Sequence, residues 1–297
     1  MKYGRFMVSG ICAIILLTIS SGLQAKEEVK QSDQAASLEE ARTYEESMLN
    51  LLVPTNLQPL QVEFIVQHRF EGTIDDKPLK NFFGVDKGAS VRLGLRFLIW
   101  SKLEVNASHI FNEHEYEAGL SYALFFPKIF LKAQLDAQYL NYPFQKTETD
   151  PDNPLAGQLI QILGFPLIPL PKHKIVNSYF LQFALQTYPI FGRITPVVNA
   201  GYDGYNNKRV GLGMGLSVKI IDWLYAQGEF YPNFYKSGWK RDESGSLHCY
   251  AFGFLFQTPT HNFILMVGNN TQIGTRRMMM GTNTKSLHLG FNITKVW

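Results

Sequence analysis

Twelve stretches of this chain alternate apolar and polar residues with a period of two, near 60–69, 89–97, 102–111, 115–125, 128–140, 175–188, 192–202, 209–219, 223–232, 246–257, 260–269 and 286–297. Period two is the signature of a β-strand with one face in an apolar phase and the other in a polar one. RVGLGMGLSVK is the cleanest case. Val210, Leu212, Met214, Leu216 and Val218 share one face, and Arg209, Gly211, Gly213, Gly215, Ser217 and Lys219 share the other. The connections constrain the chain further. Those near 98–101, 126–127, 189–191, 220–222 and 258–259 are tight. The intervening ones, 70–88, 112–114, 141–174, 203–208, 233–245 and 270–285, include every long one. Tight turns at one end and longer loops at the other describe an antiparallel up-and-down sheet of about twelve strands with two unlike ends.

The last stretch, SLHLGFNITKVW, says where the apolar faces go. Leu289, Phe291 and Ile293 form a stripe that runs towards Trp297, although chain ends ordinarily fray in water. Such a stripe is stable in lipid, where a sheet must close on itself because an unpaired edge is costly. Leu289, Phe291, Ile293 and Trp297 therefore read as a barrel-closing C-terminal strand. The same pattern resembles the signal by which barrel-assembly machinery recognises its clients. Trp100, Phe125, Phe126, Tyr188, Phe191 and Trp223 lie at or beside the short turns, where an aromatic girdle meets a membrane interface. The expected fold is an all-β closed transmembrane barrel with short periplasmic turns and longer outer loops.

Composition agrees: aromatics make up 13% of the chain, with 22 Phe, 14 Tyr and 24 Gly. Residues 1–25 read as a cleaved secretory signal peptide, with Lys2 and Arg5 ahead of an apolar run from Phe6 to Ile19. That run falls short of the roughly 20 residues a spanning helix needs. Loss of the signal removes Cys12, so Cys249 has no partner within the chain and reads as a small buried residue. Residues 26–53 form an acidic lead-in, solvated or lid-like, with helical spacing at Leu38, Ala41, Met48 and Leu52. The barrel is expected over 54–297. Residues 51–297 carry a net charge of only +5, which excludes a nucleic-acid-binding surface.

The polar parity places Glu63, Arg69, Arg92, Arg96, Glu104, Glu117, Lys132, Asp136, Arg209, Lys219 and Glu229 in the lumen, where mixed signs predict an internal ion-pair network. In 246–257, Tyr250, Phe252, Phe254 and Phe256 are expected to face lipid and Cys249, Ala251 and Gly253 the inside. The long 141–174 connection contains LAGQLIQILGFPLIPLPK, whose prolines exclude a spanning helix. Its apolar residues Leu159, Ile162, Phe165 and Leu170 are candidates for a gate over the barrel mouth. Catalytic patterns fail. His114-Glu115 lacks the second His of a zinc-protease helix, no GxSxG is present, and GLGMG is not followed by a helix. Ser286, His288 and Asn292 share one strand, which does not by itself make a triad. Asp150, Asp152 and Asn153 read as a turn, and His68 and Arg69 as an anchor for the first outer loop. No cofactor or metal is expected.

VEFIVQHRFEG, NFFGVDKGASVRLGLRF, HNFILMVGNN and LGFNITKVW together resemble an uncharacterised outer-membrane β-barrel family of Bacteroidota, over roughly residues 54–297. The blocks Gln67-His68-Arg69-Phe70 and Phe83-Gly84-Val85-Asp86 carry most of the likeness, and Glu71-Gly72 departs from the family's glycine after Phe70. The resemblance implies the fold and an outer-membrane location in a Gram-negative bacterium, and no activity. The expected partners are outer-membrane lipid and, during biogenesis, the barrel-assembly machinery. Two functional classes follow: a narrow passive channel or transport barrel for small solutes, or a non-conducting scaffold that docks a periplasmic envelope or redox system through 26–53. A lipid-modifying barrel enzyme is a distant third.

Overall fold

The computed structural model describes residues 48–55, 57–74, 79–129, 131–146, 172–204, 209–234, 247–258 and 261–297, with the side chains of 142–146, 172–176 and 209 excepted. Twelve strands follow one another: β1 Val62–Thr73, β2 Ala89–Leu98, β3 Leu103–Ile110, β4 Glu115–Phe126, β5 Leu131–Lys146, β6 Lys172–Thr187, β7 Ile194–Asp203, β8 Arg209–Ile221, β9 Leu224–Tyr231, β10 Cys249–Gln257, β11 His261–Gly268 and β12 His288–Val296. Each pairs antiparallel with its sequence neighbours, and β1 pairs with β12, so the sheet is a closed barrel. The seam runs from Glu63 opposite Val296 to Arg69 opposite Gly290, with an irregularity before Thr73. Trp297 N–H donates to Val62 O at 3.0 Å and Val62 N–H to Trp297 O at 3.3 Å, so pairing continues to the final residue. Closure gives every strand two neighbours and leaves no open edge.

Side chains alternate across this wall as the period predicts. Leu95, Leu120, Leu135, Leu216, Phe252 and Leu265 are exposed on the outer face. Their neighbours Gly94, Ser121, Asp136, Ser217, Ala251 and Ile264 are buried within. Tyr250, Phe252, Phe254 and Phe256 face out and Cys249 and Ala251 face in. Trp100, Phe126, Phe191, Trp223 and Trp297 are all exposed at the short-turn end, as a girdle requires.

Two of the longer connections have structure of their own. In the first, a 3₁₀ segment, Phe82–Lys87, crosses β1 where Gly72 meets Gly84. A Cβ added to Gly72 would lie 2.3 Å from the Gly84 carbonyl oxygen, and Gly84 itself has φ +86°. Two glycines are needed for that approach. Gly72→Ala is expected to lift the segment off the wall while the barrel stays folded. Faster proteolysis between 79 and 88 with an unchanged gel shift on heating would report it. In the last connection, α1 (Thr275–Met279) carries buried residues throughout and lies against β7 and β8. The apolar 141–174 stretch with Leu159, Ile162, Phe165 and Leu170 lies outside the described residues, apart from its strand ends, as do the signal segment 1–25 and Asp150, Asp152 and Asn153.

Candidate functional site

The interior has two unlike halves. The inner faces of β1–β5 carry most of the charges. Arg96 reaches Glu104 at 2.9 Å and Glu63 at 2.9 Å. Four residues away along β2, Arg92 reaches Glu117 at 2.6 Å, Gln67 Oε1 at 3.0 Å and Ser108 Oγ at 3.0 Å. Ser108 in turn donates to Glu117. Beside them, Ser121 donates to Asp136 Oδ1 at 2.6 Å and Asn106 donates to the same oxygen at 3.1 Å. Each strand contributes alternate residues, so charges on adjacent strands, or two strands apart as with Arg92 on β2 and Glu117 on β4, become neighbours around the circumference. Opposite signs satisfy one another there, as buried charges must. Arg92 and Arg96 nonetheless retain side-chain exposures of 19% and 16%, so this wall is not closely packed over its guanidinium groups.

The other half, β6–β11, presents smaller and more apolar residues, and residues 48–55 lie against it. The lead-in expected to be solvated to residue 53 is therefore inside the barrel over its described part. It is neither helix nor strand there. No local pattern reveals this, because its burial rests on partners remote in the chain, such as Glu229, 179 residues from Asn50, and Asn199, 147 residues from Leu52. Met48 and Leu51 fit where Gly213 and Gly215 lack side chains: a Cβ on Gly215 would sit 2.5 Å from Leu51 Cδ1 and 2.6 Å from Met48 Cε. Leu49 joins Tyr225, Ala251, Leu255, Ile264 and Met266 in one buried cluster. The GLGMG motif is thus a notch in a crowded interior.

Wall side chains bind the main chain of this segment. Glu229 Oε1 accepts from Asn50 N–H at 2.8 Å and Leu51 N–H at 2.9 Å. Gln134 Oε1 accepts from Thr55 N–H at 2.7 Å, and Asn199 Nδ2 donates to Leu52 O at 2.9 Å. Arg69 donates to Leu49 O at 3.1 Å and to Asn50 Oδ1 at 2.8 Å. Asn292 adds a second donor to Leu49 O at 2.8 Å, and Thr275 donates to Asn50 O at 2.6 Å. The wall's own backbone is consumed by the strand ladder, so only side chains remain to satisfy an inner strap.

At the long-loop mouth, α1 is held by an ion cluster that the lumen reading missed. Glu115 is fully buried and takes Arg276 at 2.6 Å and Arg277 through its second oxygen. Asp203 takes Arg276 at 3.2 Å and Glu113 takes Arg277 at 2.6 Å. Burial alone would weaken the Arg277 charge, but Glu115 beside it outweighs this and holds the guanidinium above its ordinary pKa. Met279 packs over Gly201 and Gly211. The loop seen in the mouth is therefore 269–287. The signal available in sequence was TRRMMM, an apolar run beside two arginines that a solvated loop would not need.

Of the eleven lumen candidates, Glu63, Arg69, Arg92, Arg96, Glu104, Glu117, Lys132, Asp136 and Glu229 point into the barrel. Lys132 sits over the Tyr188 ring at 5.1 Å. Lys219 instead ties the short turn to Asp222 at 2.9 Å, and the Arg209 side chain lies outside the described set. Two expectations are corrected. Arg69 anchors residues 49–50 and Asn292 and not the first outer loop, while His68 faces outward and stacks on Phe291 at 4.9 Å. Leu289, Phe291 and Ile293 form the outer stripe of β12, ending at Trp297. Ser286, His288 and Asn292 do not assemble a nucleophilic site, since His288 Nδ1 meets Gly72 O at 3.1 Å and Asn292 serves the strap. Among the described residues, no group of three or more His, Cys, Asp or Glu is placed to hold a metal ion.

A family described as membrane bound beta barrel domain (DUF5777) matches residues 47–129 and 173–297. No curated protein matches the chain in sequence. Solved structures with a similar course include the KdgM porin, at 8% identity over 80% of this chain and 98% of that one, with a TM-score of 0.44. Omp33 from Acinetobacter baumannii matches at 11% identity over 80% and 98%, TM-score 0.40. An active-site mutant of outer membrane phospholipase A from Escherichia coli matches at 11% over 86% and 96%, TM-score 0.41. Likenesses this distant carry no functional argument.

Proposed function

Since the chain belongs to the membrane bound beta barrel domain family (DUF5777), we propose that it is a narrow outer-membrane channel for small polar solutes, exported by a cleaved signal at 1–25. One observation carries this reading: Arg92 and Arg96 keep partial exposure inside a closed wall, opposite the half that residues 48–55 fill. The passage runs along the inner faces of β1–β4. Its lining alternates in sign within a few ångströms, at Arg92 with Glu117 and at Arg96 with Glu63 and Glu104. Neither ion sign is strongly excluded by such a wall, and small neutral or zwitterionic solutes pass most readily.

Planar-bilayer recording tests it. The folded barrel is expected to give small, uniform conductance steps with weak ion selectivity. Arg92→Ala leaves the Glu117 charge without its arginine and should move the reversal potential towards cation preference. Silence at high loading of folded, heat-modifiable protein would sink the channel reading and favour a scaffold that docks a periplasmic envelope or redox system. The segment inside the lumen gives that second reading its support, because it narrows the barrel. A lipid-hydrolysing role gains nothing from His288 and Asn292, whose partners are structural.

A further inference from the structure

The strap at 48–55 is bound in the way a peptide ligand is bound. Six of its main-chain atoms are held: Leu49 O, Asn50 N, Asn50 O, Leu51 N, Leu52 O and Thr55 N. Every partner is a side chain of the wall or of α1. The segment adds no strand to the sheet, whose hydrogen-bonded ring is complete without it. It joins β1 through Gln58, Pro59 and Leu60, which are exposed. Its side chains are received by absent ones: the Gly213 and Gly215 notch takes Met48 and Leu51, and Gly253 makes room for Leu49, whose Cδ2 would lie 3.0 Å from an added Cβ. Buried carboxylate, amide and guanidinium groups of the wall are turned to its backbone. Glu229, Gln134, Asn199, Arg69 and Asn292 all do this, and each is costly to bury without a partner. Backbone reading with pockets for a few aliphatic side chains is the general mode by which proteins hold extended peptides.

We propose that the inner face of β7–β12, with Arg69 of β1 and Gln134 of β5 beside it, is a peptide-binding site, that Met48–Thr55 is its tethered ligand, and that a free extended peptide of this chemistry exchanges with it. The ligand class is an extended segment with aliphatic residues matching Met48, Leu49 and Leu51 and an amide matching Asn50, which bridges Glu229 and Arg69. This inference does not depend on conduction. A barrel that passes no ions can still bind the peptide, and a conducting one can fail to.

The test uses the full chain with a specific protease site inserted between Gln58 and Pro59, folded in detergent micelles and then cut. The probe is a fluorescently labelled synthetic peptide covering residues 46–58. After cutting, the amino-terminal fragment is expected to stay bound and to be displaced by excess free peptide. The emptied barrel should keep its heat-modifiable gel shift and bind the probe saturably by fluorescence anisotropy. Gly215→Val fills the notch and should weaken binding at least about tenfold. Should that variant fold poorly, Asn199→Ala removes the donor to Leu52 O and should weaken it by about three- to tenfold. Three results overturn the proposal: loss of the folded barrel when the fragment leaves, a folded empty barrel that does not take up the probe, or unchanged affinity in the folded variants.

Discussion

Glu115→Ala is expected to destabilise the barrel by about 3–5 kcal/mol, the range found when one member of a buried ion pair is removed. Glu115 is fully buried and accepts from both Arg276 and Arg277, themselves almost fully buried. Without it, the carboxylates described beside these arginines are Asp203, 3.2 Å from Arg276, and Glu113, 2.6 Å from Arg277 with its side chain 29% exposed. Two guanidinium groups would then share too little negative charge in the mouth of the barrel. The loss follows from leaving charge uncompensated, not from the strength of the pair. Glu115→Gln, which keeps the acceptor and drops the charge, should therefore fall between wild type and alanine. Urea unfolding in lipid vesicles, followed by tryptophan fluorescence, measures all three. A loss below about 1 kcal/mol for the alanine variant would mean that α1 does not depend on this cluster.

Leu216→Arg should cost about 2–4 kcal/mol, because a basic side chain at the bilayer midplane finds no partner in lipid. Leu216 is 45% exposed on the outer wall and lies five residues above the short-turn end of β8 at Ile221. That places it about 12 Å along the membrane normal for a strand tilted by about 45°. The barrel itself carries arginine at no such penalty on β2, where Arg92 and Arg96 face inward onto Glu117, Glu63 and Glu104. The contrast isolates the side of the wall as the cause. Adjacent Ser217 makes a poorer inward comparison, since it is 1% exposed in the packed half and Ser217→Arg would overfill it. Folded yield in vesicles reads the effect, and full folding of Leu216→Arg would mean that β8 does not present this face to lipid.

Much of the architecture was legible because a membrane imposes a local rule. Lipid outside and polar groups inside force alternation along every strand, so RVGLGMGLSVK displays its facing without reference to any other part of the chain. The stripe of Leu289, Phe291 and Ile293 likewise requires closure, and β12 indeed pairs with β1. Strand number, facing and the two unlike ends therefore follow from the sequence alone, as does the inward placing of Glu63, Arg92, Arg96 and Glu104.

What fills the barrel was decided only by the tertiary structure. Asn50 meets Glu229 across 179 residues and Arg276 meets Glu115 across 161, separations over which no periodicity operates. Residues 48–55 look like the end of an acidic lead-in because their burial comes from a notch built by Gly213 and Gly215. A glycine in a strand does not announce what will occupy the space it leaves. Inward charges are visible by parity, but parity does not say which carboxylate an arginine will reach. That choice is made by the register of neighbouring strands, which sets Glu63 opposite Arg96, and by desolvation, which favours arrangements in which each buried charge finds its opposite.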